Sequence, residues 1–273
     1  YTNMVCGSGL RSVMEAVMSI QAGFNDIVLA GGVESMSLAP YLVPANTRSG
    51  NKMGNWQAVD HMIYDALTDA RANIHMGITA ENVAAKFNIT REQQDEFAFA
   101  SQQKAIAAID AGKFKNEIVP ITIHNKKGDI VFDTDEFPNR TTNLEKLAKL
   151  KPAFKGDGTV TAGNASGIND GASFVLIASE AAVKKYNLKP IAEIVGIGQG
   201  GVDPLVMGLG PVPAIRNALN YASLKLSDME LIELNEAFAA QSLGVIHELV
   251  REHGVDRDAL LKRTNVNGGA IAL

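Results

Sequence analysis

Cys6 is the only cysteine among the 273 residues, and it stands in Asn3-Met-Val-Cys-Gly-Ser-Gly9. A short extended run, Tyr1 to Val5, precedes it and a helical pattern follows from Leu10. At such a place the unpaired N–H groups and partial positive charge of a helix N-terminus favour a thiolate, the reactive form, over a thiol. Gly7 and Gly9 let the chain turn sharply and leave room for a substrate beside the sulfur. An inert buried cysteine is the competing reading. Asn235, in Asn235-Glu-Ala-Phe-Ala-Ala240, reads by type as a cap for the helix that follows. Glu236 is tempting as a base but reads as a structural partner of the turn. Ser166 lies in Gly158-Thr-Val-Thr-Ala-Gly-Asn-Ala-Ser-Gly167 and serves equally well as a turn residue. His75, before Met76-Gly77, reads by type as a satisfied core histidine. His61, His124, His247 and His253 fall on helical or hairpin stretches. No pair of His, Cys, Asp or Glu has metal-ligand spacing, so no metal is expected. Lys146, Lys149 and Lys151 form either a solvated face or a contact for phosphates.

These residues need a scaffold, and the apolar pattern outlines one. Leu10, Val13, Met14, Val17 and Ile20 share a helix face closed by Gly23, and Asp26 to Ala30 then reads as a buried strand. With Tyr1 to Val5 this makes a βαβ unit and implies a parallel sheet. From Ser37 to Gly167 the chain makes a large excursion from that sheet. It holds helical stretches at Asp60 to Asp69 and Thr79 to Phe87, and a capping box at Thr90-Arg-Glu-Gln93 that opens a long helix ending near Gly112. A hairpin is expected around Lys126-Lys127-Gly128, and a basic connector from Lys146 to Phe154. Strands are expected at Ser173 to Ala178, Ile191 to Ile197 and Leu231 to Leu234. Helices are expected at Ser179 to Tyr186, Pro213 to Tyr221 and onward from Asn235 to about His253.

Composition agrees with an α/β protein: 46% of residues are hydrophobic, 25 are Gly and 6% are aromatic. The formal net charge is -5, with no long basic run, which argues against nucleic acid as the main partner. No apolar stretch approaches a membrane span. One cysteine forms no intrachain disulfide, so a reducing, cytoplasmic setting is the default. The start looks cut, which leaves open a targeting segment upstream.

The segments around Cys6, Ala30-Gly-Gly-Val-Glu-Ser-Met36, His75-Met-Gly77 with Thr79-Ala-Glu-Asn82, the Gly158 to Gly171 stretch and Asn235 to Ala240, in this order, resemble the thiolase family over essentially the whole chain. The resemblance is strongest to its bacterial acetyl-CoA acetyltransferases. It implies a layered αβαβα fold with two related half-domains and a large loop domain. Residues 1–37 and 168–190 would form an incomplete N-terminal half. Residues 38–167 would form the loop domain, for substrate binding and oligomer contacts. Residues 191–273 would form an incomplete C-terminal half. It further implies that Cys6 takes the acetyl group as a thioester and that Asn235 holds a water in an oxyanion hole. His75 and Ser166 would lie near the pantetheine arm, and Leu67, Met76, Phe154, Ala162, Ala165, Met207 and Phe238 would wall the acyl-CoA channel. The implied reaction joins one acetyl-CoA to another, giving acetoacetyl-CoA and free CoA, and runs in reverse with the same atoms. Coenzyme A enters only as part of substrate and product, with no bound cofactor. The implied assembly is a homotetramer, a dimer of dimers, with Arg48 to Trp56 in the place of the tetramer-forming loop. The implied pathway is fatty acid metabolism.

After Gly-Gly-Ala-Ile-Ala-Leu the family pattern continues with a catalytic His, and later with an acid/base Cys. Neither segment is among these residues, so the 273 residues alone are expected to be inactive. Three other readings compete. One is a ketoacyl synthase, which lacks the His75-Met-Gly77 and Asn235-Glu-Ala-Phe238 signatures. Another is a degradative thiolase for longer chains. The third is a non-catalytic CoA-binding protein of the same fold.

Overall fold

The computed structural model describes residues 1–273. Its elements are α1 (Ser8–Gln21), β1 (Ile27–Ser35), β2 (Tyr41–Leu42), β3 (Val59–Asp60), α2 (Met76–Phe87), α3 (Arg91–Asp110), β4 (Ile121–Ile123), β5 (Ile130–Phe132), α4 (Leu144–Ala148), β6 (Asp170–Ala178), α5 (Glu180–Tyr186), α6 (Pro211–Ala222), α7 (Ala239–His253) and α8 (Arg257–Arg263). They fall into two compact units. One comprises Tyr1–Asn73 and Ile168–Ile197, and the other Ile74–Gly167 and Gly198–Leu273.

In the first unit, α1 ends as its glycine predicts. Gly23 adopts φ 77°, its N–H bonds the Ile20 carbonyl at 3.0 Å, and the Phe24 N–H bonds the Ser19 carbonyl at 3.0 Å. This double closure satisfies the last carbonyls of the helix. Helix α1 lies on β1, where Ser12 Oγ donates to the Gly31 carbonyl at 3.1 Å. A Cβ on Gly31 would sit 2.2 Å from the Ser173 carbonyl oxygen, so the pairing of β1 with β6 demands glycine there.

That pairing corrects one expectation. β1 and β6 run antiparallel, from Ile27 opposite Ala178 to Ser35 opposite Asp170, and Tyr1 to Val5 forms no strand. The physical reason is the excursion between them. The chain leaves the sheet after Ser35 and re-enters at Asp170 beside the same point, where Ser37 donates its N–H (2.9 Å) and its hydroxyl (2.5 Å) to the Asp170 carboxylate. A strand that re-enters where its neighbour left must run back along it. Apolar pattern reports burial, not direction. Ile191 to Ile197 also forms no strand, and Asp60 to Asp69 yields one π-turn, Met62–Ala66.

The second unit is built on helices. Val83 of α2, Val212 and Leu219 of α6, Val245, Ile246 and Leu249 of α7 and Leu260 of α8 form one buried cluster with Leu209, Leu226 and Leu234. Each such side chain contributes about 1.5–3 kcal/mol on burial. The capping box is complete: the Gln93 N–H reaches Thr90 Oγ1 at 3.3 Å and the Thr90 N–H reaches Gln93 Oε1 at 2.9 Å. The hairpin forms as β4 against β5, Ile121 opposite Phe132 and Ile123 opposite Ile130, with Gly128 at φ 117° in its turn. The basic connector begins inside a short helix, α4, that starts before it at Leu144 and is capped by Asn143. Leu231 to Leu234 is not a full strand; only Ile232 bridges to Thr264. No helix is long and apolar enough to cross a membrane.

Candidate active site

Cys6 occupies a single tight turn, Val5–Gly7, whose last residue is the N-cap of α1. The cysteine is exposed among these residues. Val5 before it has φ 51°, a conformation a β-branched residue adopts only when its surroundings force it. The forcing contacts are local. Ser8 Oγ accepts the Met4 N–H at 2.8 Å and donates to the Val5 carbonyl at 2.7 Å, while Asn3 Oδ1 accepts the Val5 N–H at 3.0 Å. Leu67 also belongs to this unit, directly after the π-turn.

The other residues singled out in the sequence belong to the second unit. Met76, Phe154, Ala165, Met207 and Phe238 meet in one apolar cluster with Ala80, Val160 and Ala237. Phe154 is its hinge point. Its ring stacks on His75 with centroids 4.6 Å apart and meets Phe238 edge-on at 6.1 Å. Gly77 makes room for that ring, since a Cβ there would fall 2.2 Å from it. This gives a physical meaning to the glycine of His75-Met-Gly77.

His75 is the N-cap of α2 and accepts the Gly77 N–H on Nδ1 at 3.0 Å. That bond leaves Nε2 as the nitrogen able to carry a proton in the neutral ring. Burial holds the His75 pKa below its ordinary 6.5.

Ser166 and Ala162 are exposed on the loop beside the cluster. This loop is tied to the Asn235 segment by an Ala165–Phe238 bridge, by the Ser166 N–H on the Ala237 carbonyl at 3.0 Å, and by the Ala239 N–H on the Asn164 carbonyl at 2.9 Å. Asn235 is exposed. It does not cap α7, whose N-cap is Phe238 without a side-chain bond. Its amide is therefore not committed to holding that helix. Lys146 and Lys149 are engaged nearby, on the Thr141 carbonyl at 2.7 Å and the Glu145 carboxylate at 2.6 Å.

Two carboxylates brace this region, Glu81, which has no reading in the sequence, and Glu236, read there as a partner of the turn. Glu81 of α2 accepts the backbone N–H groups of Thr159 and Val160, each at 2.8 Å, on Oε1. A Cβ on Gly158 would lie 2.3 Å from that oxygen. Glu236 is 1% exposed and is bonded to Ser101 and Asn265, in line with a partner of the turn. Burial first, then the Glu236 charge, pushes the Glu233 carboxyl up, against the pull of Lys104. The signal for Glu81 was a lone acid inside the apolar spacing of α2.

Comparison with known proteins places the chain. Residues 1–181 match the family profile described as thiolase, N-terminal domain, and residues 188–273 match thiolase, C-terminal domain. The acetyl-CoA acetyltransferase of Chromobacterium violaceum is 56% identical over 272 residues, covering 99% of this chain and 67% of the relative. The solved acetyl-CoA acetyltransferase of Syntrophomonas wolfei superposes with a TM-score of 0.92 at 47% identity, over 98% of this chain and 66% of that one. Human mitochondrial 3-ketoacyl-CoA thiolase gives 0.91 at 50% identity, over 98% and 66%. The chain thus spans about two thirds of the length of the relatives it matches.

Proposed function

Because the chain belongs to the thiolase family, we propose that the protein it represents is an acetyl-CoA acetyltransferase working through an acetyl-cysteine. The Cys6 thiolate attacks the thioester carbonyl of acetyl-CoA, and the C–S bond to CoA breaks with release of CoA. The α-carbon of another acetyl-CoA, whose proton ends in net on the CoA thiolate released in the first step, then attacks the acetyl-Cys6 carbonyl. Cys6 leaves as thiolate and acetoacetyl-CoA forms. Both steps put negative charge on a thioester oxygen, which needs preorganised donors. Asn235, through a held water, is the donor we assign.

The observation that supports this most is the cluster of Met76, Phe154, Ala165, Met207 and Phe238 beside the uncommitted Asn235 amide. Apolar walls with few polar anchors suit a pantetheine arm, and this cluster supplies such walls. His75 and Ser166 are the proposed anchors, and Leu67 and Ala162 further walls. We assign residues 1–37 with 168–190 to the N-terminal thiolase half, 38–167 to the loop domain and 191–273 to the C-terminal half. The proposed assembly is a homotetramer in the cytoplasm serving fatty acid metabolism. The exposed Met53 and Trp56 of the Arg48 to Trp56 loop support a contact role there.

A second reading has its own support: the human relative that is 50% identical is a 3-ketoacyl-CoA thiolase. Thiolysis by the full-length protein separates the two. Preference for acetoacetyl-CoA over long 3-ketoacyl-CoA in kcat/KM is the expected result. The reverse preference assigns it to longer chains, and no turnover of either leaves only a binding protein.

A further inference from the structure

Glu236 is a buried carboxylate to which the proposed reaction gives no task. Its partners are neutral donors: Ser101 Oγ to Oε2 at 2.6 Å, Asn265 Nδ2 to Oε1 at 2.8 Å, and more loosely the Ile271 N–H to Oε2 at 3.3 Å. A buried charge held this way is a costly brace, and a neutral side chain of that size would fill the space more cheaply. The bonds therefore point to geometry that matters beyond filling.

What they join is specific. Ser101 lies on α3, and its hydroxyl also accepts the Gly269 N–H at 3.1 Å. Asn265 grips the other flank of Asn235, accepting the Leu234 N–H and donating to the Leu234 carbonyl, each at 2.7 Å. Gly269 comes so close that a Cβ would lie 2.4 Å from the Glu236 carboxyl carbon. Both neighbours of Asn235 are thus clamped, and only the Asn235 side chain projects unbonded between them. A cavity of about 250 Å³ lined by Ser101, Lys104, Glu236, Thr264 and Asn265 adjoins the carboxylate.

We propose that Glu236 is a positioning residue for this reaction. It fixes the Asn235 amide by clamping the Leu234 to Glu236 stretch to α3 through Ser101 and to the 265–271 turn through Asn265. The proposal rests on the reading of Asn235 as the holder of the oxyanion water. It also makes Glu236 act only through Asn235.

A double-mutant cycle on the full-length protein tests it, with kcat, KM and melting temperature read on the same samples. Glu236→Gln replaces one acceptor oxygen by an amino group facing donors. It should lower kcat by about tenfold with KM for acetyl-CoA nearly unchanged, and by less than about twofold when Asn235 is already Ala. Equal losses in both backgrounds overturn the proposal alone, as does a lowered melting temperature with normal kcat. Full turnover by Asn235→Ala overturns the Asn235 reading and this proposal with it. Should Glu236→Gln not fold, Ser101→Ala removes one arm of the clamp and carries the same cycle. A loss of kcat that vanishes in the Asn235→Ala background supports the proposal, and an undiminished one overturns it.

Discussion

Asn235 offers a clean separation of catalysis from stability, because nothing in its segment hangs on its amide. It does not cap α7. Asn235→Ala should therefore lower kcat by about a hundredfold, the scale of one lost oxyanion donor, with the melting temperature nearly unchanged. A structural cap would instead cost about 1 kcal/mol of stability and leave turnover per folded molecule intact. Calorimetry and steady-state kinetics on one preparation distinguish the two. His75 gives a pH prediction. Its folded pKa is below the ordinary 6.5, so the unfolded chain binds its proton more readily. The stability it contributes is fully present above that ordinary value and is lost as pH falls through the lower folded one. Protonation of Nδ1 also abolishes the acceptor for the Gly77 N–H. Asn caps helices without titrating, so His75→Asn should flatten the fall in melting temperature between about pH 7.5 and pH 5. An unchanged slope would mean that other groups carry the acid sensitivity. At this scale the sequence was informative about residue types and silent about commitments. Cys6 at a helix N-terminus was legible from its glycines. That Asn235 is free of the helix and that Phe154 stacks on His75 were not, because both depend on contacts far apart in the chain.

Among the elements, the close approach of α7 to α2 decides the sign of a substitution. Gly244 lies inside α7, where Ala would ordinarily gain about 1 kcal/mol over Gly. Here a Cβ would lie 2.5 Å from Val83 Cγ1 and 3.3 Å from Leu209 Cδ2. Gly244→Ala should instead destabilise by about 1–3 kcal/mol through overpacking, lowering the melting temperature by several degrees. A raised melting temperature would show that α7 can slide away from α2. Locally coded elements were read well from the sequence. The Thr90–Gln93 box, the Gly23 stop of α1 and the β4–β5 hairpin each depend on residues close together in the chain. The parallel pair expected of Tyr1 to Val5 and Asp26 to Ala30 does not form, and β1 instead pairs antiparallel with β6. Their relative direction is set by where a long excursion returns, beside Asp170, and nothing in either apolar run records that. The Ile191 to Ile197 strand failed for a related reason, since strand-like composition does not supply a partner edge.

In the molecule as a whole, the thiolase assignment rests on both domain profiles and on superposition over nearly the whole chain. The order of short motifs was enough to expect it, because each motif marks a turn that must carry a particular residue. The buried acid Glu81 had no such legible place, since its partners are backbone N–H groups and a hydroxyl with no sequence signature, and Glu236 was legible only as a partner of its turn. The proposed reaction depends first on Cys6 as the carrier of the acetyl group. Full-length protein treated with acetyl-CoA alone, quenched in acid, digested and examined by mass spectrometry tests this most directly. The predicted result is one acetyl group on the Cys6 peptide, absent in Cys6→Ala and removed by added CoA. An unmodified Cys6 in protein that turns over acetyl-CoA, or an acetyl group on another residue that CoA can discharge, would contradict it.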